Sequence, residues 1–230
     1  DTWDDMKRIS NVLQRKNLSV GIPQGIQIGE LIQNTMFECF LFQNGGNYYD
    51  GEFWYKSGIS SPQAIEAARI YTEFFTKYGF PVAYDPYTRF RNGEMPILIN
   101  TYVFYSQLMI GAPEIRGDWK MVPIPGTLKQ DGTIDRSVSG FGTAAIMFNK
   151  TKNKDDAWTF IKWFTESTTQ SEYGNRIEII LGQGARYETA NIEAVKLLPW
   201  SRDEAEMLLT QKNELKMIRL SPVTYYVNRN

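Results

Sequence analysis

"FRNGEMPILINTYVFYSQLM", residues 90–109, is the stretch on which the reading of this chain turns. Asn92-Gly93 is a turn signal, and the apolar run Met95–Ile99 has the length of a strand. Tyr102, Phe104 and Tyr105 then crowd the point where that strand should end. If the strand continued, alternation would put Tyr102 and Phe104 on one face, and Val103 and Tyr105 on the other. The aromatics are either core or a surface for a ligand, and the rest of the chain has to decide which.

Working outward, the helices are well signed. "TWDDMKRISNVLQ" has Thr2 as its cap and Asp5 as a capping-box acid, with Met6, Ile9 and Leu13 at helical spacing. "SSPQAIEAARIYTEFFTKYG" has Ser61 as N-cap, Pro62 at the first helical position and Gly79 as its stop. Its stripe of Ala67, Ile70, Tyr71, Phe74 and Tyr78 reads as a core face. "NKDDAWTFIKWFTES" carries acids in its first turn and a stripe of Ala157, Phe160, Ile161 and Phe164, also expected to be core. "SRDEAEMLLTQKNEL" opens with Ser201 and Glu204 in capping-box spacing. Between the helices, Met95–Asn100, Lys120–Ile124, Thr143–Phe148 and Ile177–Leu181 are expected as short buried strands, which makes the chain α/β. The polar, Gly-rich stretch 124–142 is the candidate linker or lobe crossing.

Composition excludes several functions. A formal net charge of −1 gives no electrostatic case for nucleic acid or an anionic membrane. No apolar run approaches the roughly 20 residues of a membrane span. With no histidine, Ser-His-Asp and Cys-His catalysis and histidine-ligated metals are out. The single cysteine, Cys39, sits in "MFECFLF" and is expected to be a buried, inert thiol. Aromatic content is 14%, with six Trp and thirteen Tyr, which suits a large core or flat faces for stacking sugars. The chain opens on "DTWDDM" and closes on "YYVNRN", both in mid-motif, and is read as a piece of a longer protein.

The remaining motifs are weak. "GQGAR" at 182–186 lacks the GxGxxG pattern and the lysine of a phosphate loop. "DGTID" at 131–135 lacks the alternating acids and the distal Glu of a calcium loop, and reads as a polar turn. Asp4-Asp5 and Asp155-Asp156 complement helix starts. The isolated acids Glu38, Glu114 and Glu178 make only a thin case for a carboxylate enzyme. "NGG" at 44–46 is a tight turn.

The order of these pieces carries more than any one of them. "TWDDM" opens a helix, an apolar helix ends in "QNGG", and "SSPQAIEAARIYTEFF" is a long helix led by Ser-Pro. "FRNGEMPILINTY", "WKMVPIPG", "SGFGTAAIMF", "NKDDAWTFIKWFT" and "TQSEYG" follow in turn. This order resembles, over essentially the whole chain, the family 1 extracellular solute-binding proteins of bacterial ABC importers, the group that includes the maltose-binding proteins. The variant "APEIRGDW…PIPGT…LG..ARYETAN" resembles its Gram-positive lipoprotein branch.

The resemblance implies a periplasmic-binding-protein-like type II fold, with a mixed sheet flanked by helices, incomplete because an N-terminal lobe is missing. Residues 1–123 and 168–230 would belong to the C-terminal lobe and 124–167 to a crossing and a segment of the other lobe. It implies non-catalytic capture of a carbohydrate between lobes that close on it, without cofactor or metal, and partnership with ABC permease subunits. It also implies an extracellular protein held at the cell surface by a lipid anchor in the absent N-terminal region. A sensor ectodomain and a carboxylate-based glycoside-acting enzyme are the other readings. Stacking faces would come from Tyr102, Tyr105, Phe141 and Tyr225, and hydrogen-bonding forks from Arg229 and from Arg186, whose other reading is a brace for the crossing, with Phe104 the core residue of its cluster. The family's cleft tryptophan and glutamate have no like residue at Glu38 and Gln33, which argues against malto-oligosaccharide.

Overall fold

In the computed structural model, which describes residues 1–23, 26–28, 31–33, 35–49, 56–140 and 142–217, the capping signals act where the sequence places them. The Thr2 hydroxyl accepts from the Asp5 amide, and the Asp5 carboxylate accepts from the Thr2 amide, starting α1 (Trp3–Gln14). Next come β1 (Val20–Gly21), β2 (Ile26–Ile28), β3 (Leu31–Gln33) and α2 (Thr35–Gln43). Ser61 caps α3 (Pro62–Thr76), and Gly79, at φ 64°, takes the left-handed turn beyond its end. Then follow α4 (Pro86–Arg91), β4 (Ile97–Leu98), α5 (Val103–Gly111), β5 (Thr127–Leu128), β6 (Ile134–Asp135) and β7 (Val138–Ser139). The chain continues through α6 (Lys154–Thr165), α7 (Ser167–Leu181), α8 (Ile192–Val195), α9 (Arg202–Asn213) and β8 (Leu215–Lys216). The Ser201 and Glu204 capping box starts α9.

These elements form two compact units. One comprises Asp1–Asn100, Pro123–Gly140 and Gln211–Asn230; the other comprises Thr101–Val122 and Phe141–Thr210. In the first, Trp3, Phe40 and Phe74 make an aromatic core, with Trp3 and Phe40 centroids 4.5 Å apart and Phe40 stacked on Phe74 at 5.5 Å. Strand pairing is mixed: β1 with β4 and β7 with β8 are parallel, whereas β2 with β3 and β5 with β6 are antiparallel. Gln43, fully buried, ties the segment from Pro125 to Ser137 to this core. Its side-chain oxygen accepts from Trp3 Nε1 at 2.7 Å and from the Thr127 hydroxyl at 2.9 Å. Its amide donates to the carbonyls of Pro125 and Ser137. Cys39 is likewise fully buried, and burial pushes its thiol far up.

The strand expectations need correction. Met95–Asn100 contracts to the two residues of β4, and Lys120–Ile124 and Thr143–Phe148 join no ladder among the described residues. Ile177–Leu181 is the last stretch of α7, since a short apolar run does not by itself distinguish strand from helix. The aromatic run after β4 is helical too, as α5. In the second unit α7 packs with α6 and with α8, and α5 packs on a 3₁₀ turn at Gln183–Ala185. The α6 stripe expected to be core is open instead, with Phe160 57% and Phe164 42% exposed. No described element other than α7 packs extensively against that helix.

Candidate ligand-binding site

The site elements converge within the second unit. β4 ends at Leu98, and α5 starts with Tyr102 at its N-cap position. Helical spacing then puts Tyr102 and Tyr105 on one side, where strand alternation would have parted them. Their rings stack at 5.6 Å with planes 14° apart. Trp200, just before α9, meets Tyr102 at 5.8 Å and Tyr105 at 5.5 Å, and Trp119 meets Tyr105 edge-on at 5.7 Å. Phe104 is buried, as expected for the core member of its cluster.

Arg186 lies at the centre. Gly182, at φ 82°, ends α7, and the 3₁₀ turn that follows delivers Arg186 to the aromatic group. Gly184 in that turn lets α5 approach closely: a Cβ there would stand 2.1 Å from Ile110 Cγ1, and the exposed Ile110 side chain would have to move aside. Arg186 Nε and Nη2 donate to the Glu178 carboxylate at 2.9 and 2.7 Å, a bidentate pair. Nη1 donates to the Tyr105 hydroxyl at 3.0 Å and lies 3.7 Å from Glu204. The guanidinium stands 4.7 Å from the Trp200 ring centroid, and the Tyr102 hydroxyl donates to the Arg186 carbonyl at 3.0 Å.

The electrostatics follow from this packing. The Glu178 hydrogen bond holds the Arg186 guanidinium more firmly protonated than usual. Burial pushes the Tyr102 phenol well up, and also raises that of Tyr105, which the Arg186 charge partly holds back. Every phenol here is therefore neutral at physiological pH. Three of the five guanidinium N–H groups already serve the protein, donating to Glu178 and Tyr105. What the cluster leaves partly open is aromatic surface on Tyr102, Trp119 and Trp200. A shallow depression of about 280 Å³ adjoins it, lined by Asn175, Glu178, Ile179, Gly182, Gln183 and Pro199.

Of the six site residues expected from the sequence, the structure brings Tyr102, Tyr105 and Arg186 together; Phe141, Tyr225 and Arg229 lie outside the described residues. Sequence reasoning missed Trp119, Trp200 and Glu204, and met Glu178 only as an isolated acid. The one local signal was the placement of Trp200 directly before a capped helix.

In the other unit, Glu38 is 3% exposed and accepts from the Tyr48 hydroxyl at 3.3 Å. Burial raises its carboxyl, and the Ser139 and Tyr48 hydroxyls oppose that rise. Glu38 Oε2 and Ser139 Oγ nevertheless lack a partner at full hydrogen-bond geometry. Among the described residues no cluster of three or more Cys, Asp or Glu is placed to hold a metal ion. No described helix is long and apolar enough to cross a membrane.

The chain is 29% identical over 187 residues to the maltotriose-binding protein of Pyrococcus abyssi, a match that takes in 79% of this chain and 38% of that protein. Its fold is similar to that of the sugar-binding protein MalE of Xanthomonas citri, at a TM-score of 0.72 and 15% identity. It is also similar, at 0.54 and 14%, to an ABC substrate-binding protein of Listeria monocytogenes solved with cycloalternan. Each likeness covers 99% of this chain and 55% of the solved one, so the chain spans about half the length of these relatives or less. The sequence profile described as bacterial extracellular solute-binding protein matches residues 1–171, and the chain belongs to that family.

Proposed function

We propose that this chain is part of the substrate-binding component of an ABC importer, and that the whole protein captures a carbohydrate, an oligosaccharide by preference, without turning it over. The observation that carries the reading is the aromatic group of Tyr102, Tyr105, Trp119 and Trp200 braced by Arg186. Sugar rings have apolar C–H faces that pack on such surfaces, and their hydroxyls need planar polar partners. Tyr102 offers the first stacking face and Tyr105 helps fix it. The names of the relatives support a sugar as ligand.

In the whole protein, Phe141, Tyr225 and Arg229 would complete the site. Residues 1–123 and 168–230 would form most of one lobe, with 124–167 a crossing and a segment of the other. The partners would be ABC permease subunits, and the setting the surface of a Gram-positive cell, with a lipid anchor in a preceding region. The test is a thermal-shift screen of the full gene product against mono- and oligosaccharides. A ligand that binds only the folded state raises the midpoint, by about 2.7 kcal/mol of stability at 100 times its dissociation constant. No shift with any saccharide, or formation of a product from one, defeats the proposal.

A further inference from the structure

The aromatic group holds a cation, Arg186, whose charge the protein itself already answers. Glu178 takes two of its N–H groups, and Glu204 Oε2 stands 3.7 Å from Nη1. The amide end of α9, which would otherwise attract an anion, is filled by the same Glu204 oxygen: the Ser201 amide and hydroxyl donate to it at 3.0 and 2.8 Å. The carboxylates of Glu178, Glu188 and Glu204 and the guanidiniums of Arg186 and Arg116 all act on the Tyr102 and Tyr105 phenols. Arg116 is exposed and donates to the Met109 carbonyl. Three acids against two bases leave the balance at the aromatic group negative.

Glu204 differs from Glu178 in being partly open, its side chain 31% exposed against 13%. Among the described residues its protein donors all meet Oε2, which leaves Oε1 without one. A carboxylate accepts hydrogen bonds and donates none. A sugar hydroxyl can donate to Oε1, and a hydrogen bond to a charged acceptor is roughly twice as strong as one between neutral groups. The carboxylate of an acidic sugar cannot donate. It would meet a like charge instead, beside a guanidinium that is already compensated. We infer, on the sugar reading above, that Glu204 is a specificity-determining residue of this site: it accepts a hydroxyl from an uncharged saccharide and turns away the uronate of the same shape.

The test is titration of the full gene product, followed by tryptophan fluorescence, with the neutral trimers of glucose, mannose and galactose and with the trimers of glucuronic, mannuronic and galacturonic acid. Each acid trimer is compared with the neutral trimer of the same ring configuration and linkage. At least one neutral trimer is expected to bind, and about 10-fold or more tightly than its acid counterpart. Glu204→Gln keeps an oxygen for the Ser201 cap and removes the charge. It should narrow that preference about 10-fold, mostly through tighter binding of the acid. A merely structural effect would weaken both trimers together and leave their ratio alone. Glu193→Gln, which removes an exposed carboxylate of α8, should leave the ratio unchanged. Equal affinity for an acid trimer and its counterpart, or an unchanged ratio in Glu204→Gln, overturns the inference and leaves the sugar reading standing. An equal change in Glu193→Gln overturns it too, by making net charge rather than Glu204 the cause. No binding of any of these trimers overturns it as well, and the wider saccharide screen then decides the sugar reading on its own.

Discussion

Arg186 is a candidate ligand fork in the sequence, and in the structure Glu178 and Tyr105 hold three of its N–H groups. It is 7% exposed and depends on Glu178 and Tyr105 for its compensation. Removing one partner of a buried pair leaves a charge without its match, so Glu178→Gln is expected to cost about 3–5 kcal/mol in urea unfolding. Tyr105→Phe removes one acceptor of a charged donor and should cost about 1.5–3 kcal/mol. Glu38 offers a pH test. Its folded-state carboxyl is raised by burial, so the folded form disfavours ionisation. The acid is neutral in both states below the unfolded value of about 4.3, and folding loses stability as pH rises through the raised folded value. Glu38→Gln should therefore match the parent near pH 4 and melt higher than it at pH 7–8; a difference that is constant with pH defeats the assignment. Of these groups, Tyr102 and Tyr105 were legible as candidates because the family order of motifs expects a stacking face at the end of their strand. Trp119, Trp200 and Glu204 were not, because they reach the cluster from other parts of the chain.

Elements were legible in proportion to how local their causes are. The caps of α1, α3 and α9 act within four residues, and the sequence signals predicted them correctly. Thr2→Ala should cost about 1 kcal/mol, readable as a lower midpoint in thermal unfolding. Gly79→Ala forces a side chain onto a residue at φ 64° and should cost a similar amount, about 1–2 kcal/mol. The strands were less legible because each owes its existence to a remote partner. β4 is two residues long and pairs with β1, so nothing near Ile97 sets its length. The run after it, which the sequence left open, has the same root: Tyr102, Val103, Phe104 and Tyr105 suit a strand, but the run winds into α5, and helical spacing then pairs the two tyrosines.

At the scale of the whole molecule, the order of motifs identified the family, while the burial of individual stripes depended on which described elements pack against them. The α3 stripe is buried because α2 and α1 lie against it; the α6 stripe, equally clear in sequence, is not. Amphipathic spacing predicts which face wants cover, and only the rest of the molecule supplies it. The proposed ligand capture is tested at this scale too, on the full gene product. Tyr102 is the ring most suited to that test: it is partly open, it stacks on Tyr105, and its hydroxyl anchors to the Arg186 carbonyl rather than to the guanidinium. Tyr102→Ala should therefore spare the Arg186–Glu178 pair while deleting one aromatic face worth roughly 1–3 kcal/mol. In the full gene product, affinity for the saccharide found by thermal shift should fall about 5- to 150-fold, measured by titration of tryptophan fluorescence. Trp200→Ala should weaken binding as well and reduce the fluorescence change itself. Val82→Ala, on an exposed surface of the first unit, should leave affinity unchanged. If Tyr102→Ala binds as tightly as the parent, the aromatic group is a brace alone and the sugar lies elsewhere.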